Sequence, residues 1–346
     1  TLLRQGLSFT VVLGVTWWTR SAAASLSAMT IAMLASVWLT AAPLRTQGAR
    51  LSLAARDDIR AFLVYAKPIV VSTVLYHAVA LLNRDLALGW FGAEATGELA
   101  LATDLGLRLF LALNVLPETL LFQYALQREA LEGRAAAEHQ IGVNNALVLA
   151  ILAPLAVGYA VMLPTFEALV VPQAYHGAYA RLSLWLTPGF LAFCMLYSAC
   201  NPIFQLEKTT WPLTVAALVA LVCDVVLVML APFNTSVDGL AQAHSIALVA
   251  GCLAAAVPAM RRKTMRPRLR DVTIIVAATA AMGVAIAPLN AITPAPLAAA
   301  LALALGGGPL LALFVALDVG GLKTWARARL AARASRRAAL VNPEMS

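Results

Sequence analysis

Apolar runs of about twenty residues recur along this chain, each long enough to cross a bilayer as a helix. LTVAALVALVCDVVLVMLA (213–231) and VTIIVAATAAMGVAIAPL (272–289) are two of them. Inside a bilayer every backbone N–H and C=O must find its partner within the protein, which leaves helices or a closed barrel. A barrel would alternate apolar and polar residues, and these runs do not. The expected fold is therefore an all-α polytopic membrane protein. Composition agrees: 61% of the 346 residues are hydrophobic, 12% are charged and the mean hydropathy is +0.82. A soluble domain carries about twice that charged fraction.

About ten segments can be marked, at 4–19, 21–42, 60–82, 100–125, 140–163, 182–205, 211–231, 238–260, 272–291 and 296–318. With helices alternating in direction, most of the 25 Lys and Arg fall in one set of loops. These include Arg45 to Arg60, Arg128 and Arg134, RRKTMRPRLR (261–270) and the tail from Lys323 to Arg337. That is the positive-inside pattern, so those loops and both termini are expected in the cytoplasm. The net charge of +8 thus reads as topology and contact with anionic membrane lipids, not nucleic acid. Cys194, Cys200, Cys223 and Cys252 all lie inside expected helices, lack metal-ligand spacing and read as small packing residues. No metal site and no catalytic residue is expected. The chain opens TLLRQGLSF, without an initiator Met or a signal-peptide pattern, and reads as a piece of something longer.

The stretch 60–104 carries Tyr65-Ala66-Lys67-Pro68, then Asn83-Arg84-Asp85, then Gly89-Trp90-Phe91-Gly92, then Gly97-Glu98-Leu99. In that order and spacing it resembles the lipid-linked oligosaccharide flippases of polysaccharide biosynthesis. These belong to the superfamily of multidrug, oligosaccharidyl-lipid and polysaccharide exporters. There the elements open helix seven, close it and turn into helix eight; Leu99 stands where the family has an aromatic residue, and Lys67 where it has an apolar one. The stretches 169–186 and 204–251 resemble the segment before helix ten and helices eleven and twelve. The resemblance implies two six-helix lobes. It divides the chain into 1–48, the last two helices of an N-terminal lobe; 49–265, a complete six-helix lobe; and 266–346, two additional helices with a basic tail. Four leading helices are expected to be missing.

Charges inside such helices mark function, because each costs about 2.5–3.5 kcal/mol to insert and so faces a wet cavity or a partner. On a helix from 100 to 125, Asp104, Arg108 and Glu118 share a face, with Asn114 at its edge. Asp104 and Arg108 stand at the i, i+4 pairing distance. One reading makes this an ion pair that fixes packing, with Arg84 and Asp85 solvated at the outer membrane face and Lys67 snorkelling to the cytoplasmic one. The other makes Arg108, with Arg84 and Lys67, the contacts to the diphosphate of a polyprenyl-linked sugar, since guanidinium binds phosphate oxygens through paired donors. Asp104, Glu118 and Asn114 would then line the same cavity. A second group is expected at matched depth on three helices: Asp224, His77 and His244, with Gln242 nearby. It would bind H+ or Na+ and couple transport to a gradient, or serve packing alone. GGGP (306–309) reads as a kink or close helix contact, not a phosphate loop.

The implied activity is alternating-access transport of a lipid-linked oligosaccharide across the bacterial inner membrane, with a glycan polymerase or synthesis complex as partners. A drug or metabolite antiporter of the same superfamily and a non-transporting scaffold are the alternatives. A membrane glycosyltransferase fits less well, because the longest expected outer loops, 83–99 and 164–181, are too short for a catalytic domain. There is no Walker A motif, and no cofactor is expected.

Overall fold

A computed structural model describes residues 56–323 without a break and parts of 11–38; for 56–58, Leu116 and Glu118 it describes the backbone alone. The expected segments 4–19 and 21–42 therefore lie partly outside the described residues. The chain forms two compact units, Thr1–Val64 and Tyr65–Ser346. In the first, the described stretches 14–19 and 27–35 are helical.

Helix α1 runs from Arg56 to Leu116, broken only at Gly92 (φ 88°, ψ −179°). The outer loop expected over 83–99 is thus helix. LALGWFGAEATGELALA is rich in Leu, Ala and Glu and has no Pro, so helix continues on both sides. Only glycine adopts that positive φ without steric cost. Arg84 and Asp104, 20 positions apart, touch in an ion pair, whereas a straight helix would hold them about 30 Å apart. α1 is therefore a folded helical hairpin with arms 56–91 and 93–116. The expected segments 60–82 and 100–125 are its two arms.

A π-helical turn, Pro117–Leu121, leads into α2 (Phe122–Glu132). Pro117 has no N–H to donate, so the helical register slips there, as the proline predicts. Gly133 (φ 90°) then starts α3 (Arg134–Val161). α4 (Leu163–Val170) lies in the stretch between α3 and α5 (Ala178–Met195). α5 continues through the π turn Leu196–Cys200 into α6 (Asn201–Leu206). Next come α7 (Trp211–Val228), α8 (Val237–Met260) and α9 (Leu269–Ile286). α10 (Ala295–Ala302) joins α11 (Gly308–Ala316) through the π turn Leu303–Gly307.

Among the described residues there is no strand, and seven helical runs are long and apolar enough to cross a membrane. The first, Ile59–Glu132, has 74 residues, enough to cross twice. These runs match eight of the ten expected segments to within three residues at the ends that overhang. The protein is an all-α polytopic membrane protein.

Small residues let the helices approach. At Gly251 of α8 an added Cβ would lie 2.8 Å from the Tyr76 hydroxyl, 2.9 Å from Ala220 Cβ and 3.0 Å from the Ala216 carbonyl. Three helices, α1, α7 and α8, meet at that point, in the manner of small-residue packing inside membranes. Gly251→Val is expected to destabilise this junction by about 1–3 kcal/mol, read as a lower thermal midpoint in detergent. An unchanged midpoint would mean that α7 and α8 are not in contact there. Gly306 packs in the same way on Met282 and Ile286 of α9, the close contact expected of GGGP. Asn144 and Asn145 sit inside α3 and serve packing: they donate to the carbonyls of Leu121 (2.7 Å) and Met265 (3.1 Å).

Candidate functional site

On the first arm of α1, Tyr76, Val79, Asn83 and Ala87 are buried at helical spacing, so the amide of Asn83 belongs to an otherwise apolar stripe. On α7 the buried stripe is Leu213, Ala216, Ala217, Ala220, Asp224 and Val228. Asp224 lies about 6 Å beyond Ala220, and on the antiparallel α8 His244 lies about 10 Å before Gly251. The Gly251 junction therefore sets the depth at which Asn83, Asp224 and His244 converge.

They converge through hydrogen bonds. Asn83 Nδ2 donates to both carboxylate oxygens of Asp224, at 3.0 and 2.9 Å, and lies 3.4 Å from His244 Nδ1. It also donates to the Val79 carbonyl at 3.0 Å. Asp224 is 0% exposed, Asn83 2% and His244 5%. Asn83 Oδ1 is buried without a hydrogen-bond partner. Three helices thus bring a carboxylate, the N–H side of an amide and an imidazole together, with the carboxylate and the imidazole as the groups able to take up a proton. No group of three or more His, Cys, Asp and Glu side chains placed to hold a metal ion occurs among the described residues.

The expectation that both His77 and His244 would flank Asp224 is corrected here. His77 is exposed, and the residue that α1 contributes is Asn83. The reason is helical phase. Six residues separate 77 from 83, so the two side chains point about 120° apart around the helix. Gln242 is only half-buried, two positions before His244 on α8. Asn83→Leu would leave the carboxylate buried without its donor and is expected to cost about 1–3 kcal/mol, measured by thermal unfolding in detergent.

The next residue, Arg84, turns to the side of α1 and forms an ion pair with Asp104 of the second arm; their side chains are 30% and 50% exposed. This replaces the expected pairing of Asp104 with Arg108. Arg108 is exposed on the same arm and takes part in no ion pair among the described residues. The second arm is held from its other side. Ala102, Thr103, Gly106, Phe110 and Asn114 are buried, and the Phe110 ring lies 5.7 Å from those of Tyr159 and Phe190. Asn114 belongs to that packed side: it is 0% exposed and its Oδ1 accepts from Ser198 Oγ at 2.6 Å. It is a packing residue in this structure, because its helical phase sits beyond the edge of the Asp104–Arg108 face. The side chain of Glu118 lies outside the described residues. Lys67 and Asp85 are exposed on α1, eighteen residues and five full turns apart on one line. The hairpin therefore carries a buried polar cluster at Asn83 and an open, charged one beginning at Arg84.

The fold is similar to that of a lipid II flippase. The solved structure, lipid II flippase MurJ in an inward closed conformation, superposes with a TM-score of 0.68 over 91% of this chain and 67% of the flippase chain. Sequence identity is 13%, so the likeness is one of fold. Neither a protein-family model nor a curated protein matches the chain. The likeness to the flippase is independent of the motifs in 60–104 and agrees with them on a flippase-like architecture.

Proposed function

We propose that this protein is a membrane transporter that carries a polyprenyl-diphosphate-linked oligosaccharide from the cytoplasmic to the outer leaflet of a bacterial inner membrane. One observation carries the reading: in a flippase-like fold, Arg84 is held by Asp104 alone among the ion pairs of the described residues, and Arg108 is exposed with no ion-pair partner among them. Uncompensated guanidinium at membrane depth is costly unless an anion visits it. A diphosphate is such an anion, and guanidinium presents paired donors to its oxygens. Lys67, exposed toward the other end of the first arm, would meet the headgroup as it enters.

In this reading 49–265 forms one six-helix lobe that rocks against an N-terminal lobe containing 1–48, while the lipid tail stays in the bilayer. The basic loops face the cytoplasm. The Asn83–Asp224–His244 cluster takes up H+ or Na+ and links the cycle to an ion gradient. A glycan polymerase or synthesis complex would consume the product. The activity is transport, without chemistry on the sugar.

The test is reconstitution of the intact protein into vesicles containing a fluorescent polyprenyl-diphosphate disaccharide. Protein-dependent movement of the label between leaflets is the expected result. Failure to move it, together with exchange of an organic cation for H+ or Na+, would instead support the drug antiporter.

A further inference from the structure

We propose that Asp104 is a built-in competitor for the diphosphate: it holds Arg84 while no substrate is bound and reclaims it to discharge the substrate. This rests on the flippase reading above. The first support is the choice of partner. Arg108 stands one turn away on the same arm, the usual i, i+4 reach, yet Asp104 pairs across the hairpin with Arg84. Arg108 is thereby left without an ion-pair partner among the described residues, open to an incoming anion. The second is the form of the pair. Only Nη2 of Arg84 contacts a single carboxylate oxygen, where a guanidinium can offer two parallel bonds; Arg84 Nε is buried without a partner. The third is access. The two side chains are 30% and 50% exposed, so an anion can reach the guanidinium, and a pair so exposed is easily exchanged.

Placement gives the competition a direction. Arg84 is eight residues from the bend at Gly92, Asp104 twelve and Arg108 sixteen, so the pair lies nearer the bend than Arg108 does. A headgroup held first by Arg108 and moving toward the bend meets Arg84 about two turns farther on. Asp104 stands beside both positions. Its negative charge opposes a bound diphosphate and favours release once the site opens. Without Asp104 the two guanidinium groups would hold the diphosphate too long.

The experiment uses the intact protein in lipid nanodiscs with polyprenyl diphosphate as probe, and in vesicles for turnover. Asp104→Asn is expected to bind the probe about tenfold more tightly and to turn over several-fold more slowly at saturating lipid, lowering KM and kcat together. Asp104→Glu, which keeps the carboxylate, is expected to restore both toward the parent values, and Asp104→Ser should match Asn if the amide impairs folding. Unchanged or weaker binding by the Asn and Ser variants, with the parent protein binding normally, overturns the proposal and leaves Asp104 as a structural partner of Arg84. If the parent protein does not bind polyprenyl diphosphate at all, the flippase reading fails and this inference falls with it.

Discussion

Asp224→Asn is expected to lower gradient-driven transport about tenfold or more and to remove its dependence on pH or sodium, while polyprenyl diphosphate still binds. The carboxylate is wholly buried, and among the described residues its hydrogen bonds come from one amide, Asn83 Nδ2. A charged carboxylate in such surroundings is tolerated when it binds a cation; a protonated one is tolerated without. A group that alternates between these states registers the ion. Asparagine has the same shape and can still bond to Asn83, but it carries no charge and takes up no proton, so folding should survive. A carboxylate kept only for packing predicts the opposite: its neutral replacement is harmless or even stabilising, with transport unchanged. Flux in vesicles with an imposed proton or sodium gradient separates the two. Retention of gradient dependence by the Asn variant would exclude coupling at this residue.

Much of the fold was legible in the sequence because the bilayer is a severe solvent. An apolar run of about twenty residues has one backbone solution there, so the runs in 60–318 appear as helices at nearly the expected places. The hairpin was not legible. Arg84, Asp85, Glu94 and Glu98 made 83–99 look like a solvated loop, but charge alone does not stop a helix of Leu, Ala and Glu, and only Gly92 does. The candidate site was legible in part. Asp224 and His244 were found from their depth, which depends only on the rise per residue. His77 was misplaced because depth ignores phase, and phase decides which side chain faces α7. Asn83 was visible as part of a motif but not as a ligand; its spacing from Tyr76 and Val79 on the buried stripe carried that signal. The Arg84–Asp104 pair was hidden because its partners belong to two arms brought together only by the bend.

Arg108→Ala is expected to reduce transport of the lipid-linked oligosaccharide to background while leaving the amount of folded protein in the membrane near that of the parent. The structure makes the second half of this expectation firm. Arg108 is exposed, and its removal breaks no ion pair among the described residues and uncovers no buried acid. In the proposed reading, a guanidinium with no ion-pair partner among the described residues is kept for an anion that arrives from outside. Its loss should therefore appear first as weaker binding of polyprenyl diphosphate. Arg108→Lys should recover only part of it, because an ammonium keeps the charge but not the planar pair of donors. Quantitative immunoblotting of membranes alongside vesicle flux is the measurement. A collapse in abundance would mean that Arg108 supports packing; full transport by the Ala variant would remove it from the substrate path and leave Arg84 as the hairpin's diphosphate contact.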